Sequence, residues 1–149
     1  MNGDGEPLNV LIFPFDSLIL YDLVARLGHT PLGIVEAKVG MSPEVSPPYG
    51  ITSLHPTLGL QSCPVEVPAG VRGRLAILVP LLDQADACVF MQGEDGFCES
   101  GCEQTNLYMR YLAAQKGLPV LDVTFPEDEV GGMRLIEALK GFLGGSFNV

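Results

Sequence analysis

Nearly continuous apolar runs alternate along this chain with segments whose apolar positions recur at helical spacing. The run Leu8-Asn-Val-Leu-Ile-Phe13 has the pattern of a strand covered on both faces. Asp16 or Ser17 can cap a following helix through Leu18, Ile19, Tyr21, Leu23, Val24 and Leu27, which Gly28 stops. Thr30 and Pro31 lead into a second strand at Leu32-Gly-Ile-Val35, so the opening reads as a βαβ unit.

Periodicity then fails between residues 40 and 69, where Pro43, Pro47, Pro48, Pro56, Pro64 and Pro68 crowd an irregular connection. Loops of that length are uncommon without a purpose, and this one carries Tyr49, Thr52, Ser53, His55 and Cys63. It reads either as a packed excursion over a sheet edge or as a ligand cover. Residues 69–85 give an amphipathic helix on Val71, Leu75, Leu78, Val79 and Leu82, which Pro80 should kink or break.

Asp86-Ala-Cys-Val-Phe-Met91 is a third strand, and Thr105 or Asn106 then precedes a helix on Leu107, Tyr108, Met109, Tyr111 and Leu112 that ends at Gly117. Residues 118–125 form a fourth strand, with Pro119 near its start, and residues 130–143 a closing helix. Strands alternating with helices predict a three-layer α/β fold around a mostly parallel four-stranded sheet, flavodoxin-like or Rossmann-like, in the order 2-1-3-4. At 149 residues the chain suits a single domain, residues 1–149, with the proline-rich excursion as its one irregular part.

In that order the loops starting at Phe15-Asp16 and at Gln92 face each other across the switch-point crevice, and residues 125–129 flank it. The second loop is the informative one. It reads Gly93-Glu-Asp-Gly-Phe-Cys98-Glu-Ser-Gly-Cys102. A C-x3-C pair lets two thiolates approach one ion from a helix face or from a tight loop. Two thiolates do not complete a tetrahedral site, so Cys63, His55, His29, a carboxylate or a second subunit would supply the rest. Glu94, Asp95, Glu99 and Glu103 surround the pair and oppose thiolate formation while favouring bound cations, which points to zinc or an iron-sulfur cluster before a nucleophile. A dithiol/disulfide switch stays open, because a helix amino terminus beside Cys102 offsets part of that charge.

Gly93, Gly96 and Gly101 allow sharp turns and close approach of backbone amides to a ligand, but they match neither a P-loop nor a dinucleotide fingerprint. Asp16, Ser17 and Asn106 are the polar candidates at the crevice, with Asp16 and Ser17 also candidate caps. Cys88, inside a strand, is a small buried hydrophobe. His29 follows a helix end and should meet its last carbonyls.

A net charge of −10 excludes nucleic acid and an anionic membrane surface as natural partners. The apolar runs are too short to span a bilayer and the first seven residues lack signal character, so a cytoplasmic location is expected. In that compartment four cysteines suggest metal, redox chemistry or packing before structural disulfides. The partners expected are another protein, engaged by the acidic loop, or a second copy of the chain.

The stretches Phe13-Pro-Phe-Asp16 through Leu32, Ala85-Asp-Ala-Cys88 through Gly93, and Gly101-Cys-Glu-Gln-Thr-Asn-Leu107 resemble methanogenesis marker protein 5. The resemblance implies an archaeal, anaerobic setting and an accessory role in methanogenesis, in maturation or activation of methyl-coenzyme M reductase. That family's cysteine loop separates its two cysteines by two residues. Here Cys98 and Cys102 are separated by three, which leaves a shared metal geometry open.

Overall fold

A computed structural model describes residues 5–33, 60–92 and 101–145, without the side chains of Gly101 and Cys102. Four strands, β1 (Asn9–Phe13), β2 (Thr30–Leu32), β3 (Ala87–Gln92) and β4 (Val120–Thr124), form one parallel sheet in the order β2-β1-β3-β4. Four described helices accompany them: α1 (Leu18–Arg26), α2 (Ala69–Leu82), α3 (Gly101–Gln115) and α4 (Glu129–Leu143). The parallel three-layer α/β architecture and the expected strand order are both present.

Alternation along the strands sorts the side chains to two faces. Leu11, Phe13, Cys88 and Phe90 pack under α2 and α3 with Val71, Leu75, Leu78, Met109 and Ala113. Val10, Ile12, Val89, Met91 and Val123 pack under α1 and α4 with Leu20, Val24, Leu135 and Leu139. Both faces of the two central strands are therefore covered, which is why β1 and β3 read as unbroken apolar runs.

The helix boundaries follow local chemistry. Ser17 caps α1, its side chain accepting from the Leu20 N–H, and Gly28 beyond the helix has φ 88°. Asp128 caps α4, accepting from the Gly131 N–H at 2.7 Å, and Gly144 ends it at φ 75°.

Three expectations need correction. Pro80 does not divide α2, which runs through it to Leu82; the proline forfeits its own bond to the preceding turn, but only two helical residues follow it. The third helix starts at Gly101, ahead of the expected caps Thr105 and Asn106, so Cys102 lies in the first turn and both polar residues lie inside the helix. The second strand is Thr30–Leu32, earlier than the sequence pattern placed it, and Ile34 and Val35 lie outside the described residues.

At the amino-terminal end of the strands, His29 Nδ1 accepts from the Leu8 N–H at 3.2 Å, and His29 Nε2 lies 3.4 Å from the Gly144 carbonyl oxygen. Because a backbone N–H can only donate, Nδ1 is the acceptor, and the ring proton sits on Nε2 facing that carbonyl. His29 thus ties the start of β1 to the end of α4 with its ring, while its backbone N–H donates to the Val24 carbonyl at 3.2 Å in the last turn of its own helix, as expected. No described helix is long and apolar enough to cross a membrane.

Candidate functional site

In a parallel sheet, the helix that follows a strand begins at that strand's carboxyl end, and a helix that precedes a strand ends at the opposite side. The starts of α1, α2, α3 and α4 therefore gather at one end of the molecule. That end has an unusual surface. Leu18 and Ile19 open α1, Leu60 and Val65 precede α2, Phe125 follows β4, and Val130 and Met133 lie in the first turns of α4; all are exposed. Among the described residues, only Leu107 and Tyr111, on the outer side of α3, are exposed large hydrophobics located elsewhere.

The same end holds Asp16, Glu66, Glu103, Glu127, Asp128 and Glu129, against Arg72, Arg74 and Arg134. Arg26 and Lys140 occupy the last turns of their helices, where they complement the helix dipoles. An acidic, partly apolar surface thus faces one way, and helix-terminal cations face the other.

The switch point falls between β1 and β3, as anticipated. Of the residues expected there, Asp16 is exposed in the loop after β1, while Ser17 serves as the cap of α1. A Cβ on Gly33 would lie 2.7 Å from the Phe15 carbonyl oxygen and 3.2 Å from Ile12, so only glycine lets the β1–α1 loop come down over the end of β2. Phe15 then packs edge-on to Phe13, which contacts the Phe90 ring. Between Phe15 and Arg74, Ile77 and Leu78 remains a dent of about 20 Å³.

Asn106 is half-buried in the second turn of α3, and its Oδ1 is buried without a hydrogen-bond partner among the described residues. Thr105 beside it is fully buried. A buried amide oxygen without a donor is costly, so this position is suited to a donor or a cation. Gly101 and Cys102 begin the helix that carries it, whereas Gly93, Gly96 and Cys98 lie outside the described residues, as does His55.

Cys63 is buried ahead of α2, against Val67, Val71 and Leu75. Burial pushes its thiol above the ordinary value and the Arg72 charge partly opposes that rise. Arg72 itself donates from Nε to the Val67 carbonyl at 2.9 Å. Because α2 and α3 share one face of the sheet, Cys63 and the start of α3 belong to the same end of the same layer. Among the described residues, no group of three or more His, Cys, Asp or Glu is placed to hold a metal ion. Cys88 is fully buried and its thiol is pushed up to about 12 by burial, as expected of a packing residue.

A feature absent from the sequence reading lies beyond the outer edge of β4. A groove of about 420 Å³ runs between that strand and α4, lined by Val123, Thr124, Phe125, Glu127, Arg134 and Ala138 among others. No motif marks it; its sequence signal is the small face of α4, with Gly131 and Ala138 at positions that approach the strand.

Residues 8–145 match a family model described as "Uncharacterized protein conserved in archaea (DUF2112)". The chain belongs to this archaeal family. A relative of this chain, "Uncharacterized protein MJ0404" of Methanocaldococcus jannaschii, is 42% identical over 138 residues, which cover 90% of this chain and 92% of the relative. The match takes in every described element of the archaeal family fold and the segment from Gly93 to Cys102. No solved structure matches the chain.

Proposed function

We propose that the protein is a methanogenesis-associated accessory protein that holds a metal, an iron-sulfur cluster or a metallocofactor through Cys98 and Cys102, with Cys63 as a third thiol, and presents it to a protein partner. The observation that carries this reading is the composition of the carboxyl end of the sheet. Cys98 belongs to the connection from β3 to α3 and Cys102 to the first turn of α3, and the described residues at that end include exposed apolar side chains and an excess of carboxylates. An acidic surface stabilises a bound cation, and exposed apolar residues gathered on one side mark a protein contact.

The donor chemistry fits. Thiolates are soft ligands suited to zinc and iron-sulfur clusters. Cys63 lies on the layer that carries the start of α3, and metal binding would supply the charge that draws its raised thiol pKa down. The organism of the MJ0404 relative bears a methanogen's genus name, which supports the methanogenic setting and, with it, a role in maturing or activating methyl-coenzyme M reductase. Reducing, anaerobic conditions keep the thiols available as ligands.

Metal analysis and absorbance spectra of anaerobically purified protein test the reading. Wild type is expected to carry metal in fixed stoichiometry, Cys98→Ser/Cys102→Ser to carry none, and Cys63→Ser to bind more weakly. Wild type free of metal under those conditions would overturn it.

A further inference from the structure

We propose that the outer face of α3 is the contact through which two copies of this chain form an antiparallel, two-fold dimer. Thr105, Met109 and Ala113 turn one side of the helix into the core, and all three are fully buried. The opposite side is exposed, and Gln104, Leu107, Tyr111 and Ala114 follow one another along it at spacings of three, four and three. That is the spacing of a helix–helix seam. Leu107 and Tyr111 at its centre are 59% and 60% exposed, and nothing among the described residues covers them.

Charge selects the occupant. Helices α1 and α4 expose Asp22, Arg26, Glu137 and Lys140, whereas the only charged residues of α3 are Glu103 and Arg110. Arg110 flanks the seam and is held by Asp122, so from Gln104 to Gln115 the helix offers no unpaired charge. A partner recognised by charge has nothing to read here. Two chains of net charge −10 repel over most of their surface, and they approach at least cost where that surface is neutral. The seam is also complementary to itself. A two-fold axis level with Met109 sets Leu107 of each copy against Tyr111 of the other, and the long Gln104 against the small Ala114. It holds the two Glu103 positions about 18 Å apart along the helix axis, where parallel pairing would set them side by side. One helix pair lies at the small end of specific interfaces, so the dimer is weak, with a Kd on the order of 10–100 µM. The two Cys102 positions fall about 20 Å apart along the axis, so this dimer does not join them through one metal ion.

Sedimentation equilibrium of the full chain tests the contact, and wild type should pass from monomer towards dimer between about 5 and about 500 µM. Leu107→Glu and Tyr111→Lys alter exposed positions, so each should leave the circular dichroism unchanged and weaken dimerisation by about tenfold or more. Mixing the two variants should restore association. Their heterodimer keeps one Leu107–Tyr111 contact and replaces the other by an ion pair between the introduced groups, which neither variant can do with itself. Cys98→Ser/Cys102→Ser should dimerise as wild type does. The proposal is overturned by wild type that stays monomeric throughout, by dimers that both variants leave intact, by a mixture that associates no better than either variant alone, or by dimers lost with the two cysteines.

Discussion

The Arg110–Asp122 pair offers the sharpest test of the energetics at the edge of β4. The guanidinium grips the carboxylate with both terminal nitrogens, one at 2.8 Å, and lies over the Phe90 ring with Cζ 5.1 Å from its centre. The side chains are 30% and 48% exposed, so solvent screens the charges, and the pair should contribute about 0.5–1 kcal/mol despite its fork geometry. The ring contact adds a further ~0.5–1 kcal/mol that depends on Arg110 alone. Asp122→Asn should therefore cost about 0.5–1 kcal/mol and Arg110→Ala about 1–2 kcal/mol, with a coupling in the double-mutant cycle near the smaller value.

The pH dependence separates charge from packing. Hydrogen bonding from Arg110 holds the Asp122 carboxyl below its ordinary value. The unfolded state then takes up the proton first, so the contribution is complete above about pH 4 and fades as the pH falls through the lower native value. Urea unfolding at pH 7 and at pH 2.5 measures it. The coupling should be smaller at the lower pH and shrink in molar salt, while the excess cost of Arg110→Ala over Asp122→Asn should survive both. A coupling undiminished both at pH 2.5 and in molar salt, or an Arg110→Ala cost no greater than that of Asp122→Asn, would refute the reasoning.

Gly33→Ala should destabilise the fold by roughly 1–3 kcal/mol and shift the amide resonances of Phe15 and Asp16, because the new methyl meets a backbone oxygen that cannot yield cheaply. Among the helix caps, Asp128→Ala should cost about 1 kcal/mol and Ser17→Ala about half of that, since the Asp128 bond is 2.7 Å and the Ser17 bond 3.4 Å; thermal unfolding ranks them, and the reverse order would contradict the assignment. Cys88 should resist alkylation by iodoacetamide in the native state at pH 8, reacting only as fast as the protein unfolds, whereas a rapid native reaction would contradict its burial. Keeping that thiol neutral also stabilises the fold fully below the ordinary thiol value, and the contribution is lost as the pH rises towards about 12.

The sheet was legible because burial on both faces writes itself into composition. Val10 to Phe13 and Ala87 to Met91 have almost no polar residue to interrupt them, and the spacing of Leu20 and Val24 fits a covered helix. What escaped were positions where a residue's local preference is overridden by packing. Thr105 and Asn106 are strong cap formers, yet both sit inside α3, because Thr105 shares a stripe with the buried Met109 and Ala113. Pro80 signals a break that the last turn of α2 absorbs. Gly33 read as an ordinary strand residue because the close approach it permits is to Phe15, distant in sequence. The cysteine pair was visible as a motif and Cys63 as a candidate third thiol, but spacing alone carries no distance between separate loops. The β4 groove left no motif, since it is built from the main chain of an edge and small residues of a helix.

The His29 bridge has a practical consequence. It places Leu8 and Gly144 side by side at the amino-terminal side of the strands, about one sheet length, roughly 17 Å, from the end where the cysteine loop departs. A tether attached ahead of Leu8 or beyond Gly145 would hold the molecule by its architectural end. On a sensor surface the acidic apolar end would then face outward in every molecule, so loss of capture of the proposed partner on reversing the tether to α3 would report orientation directly.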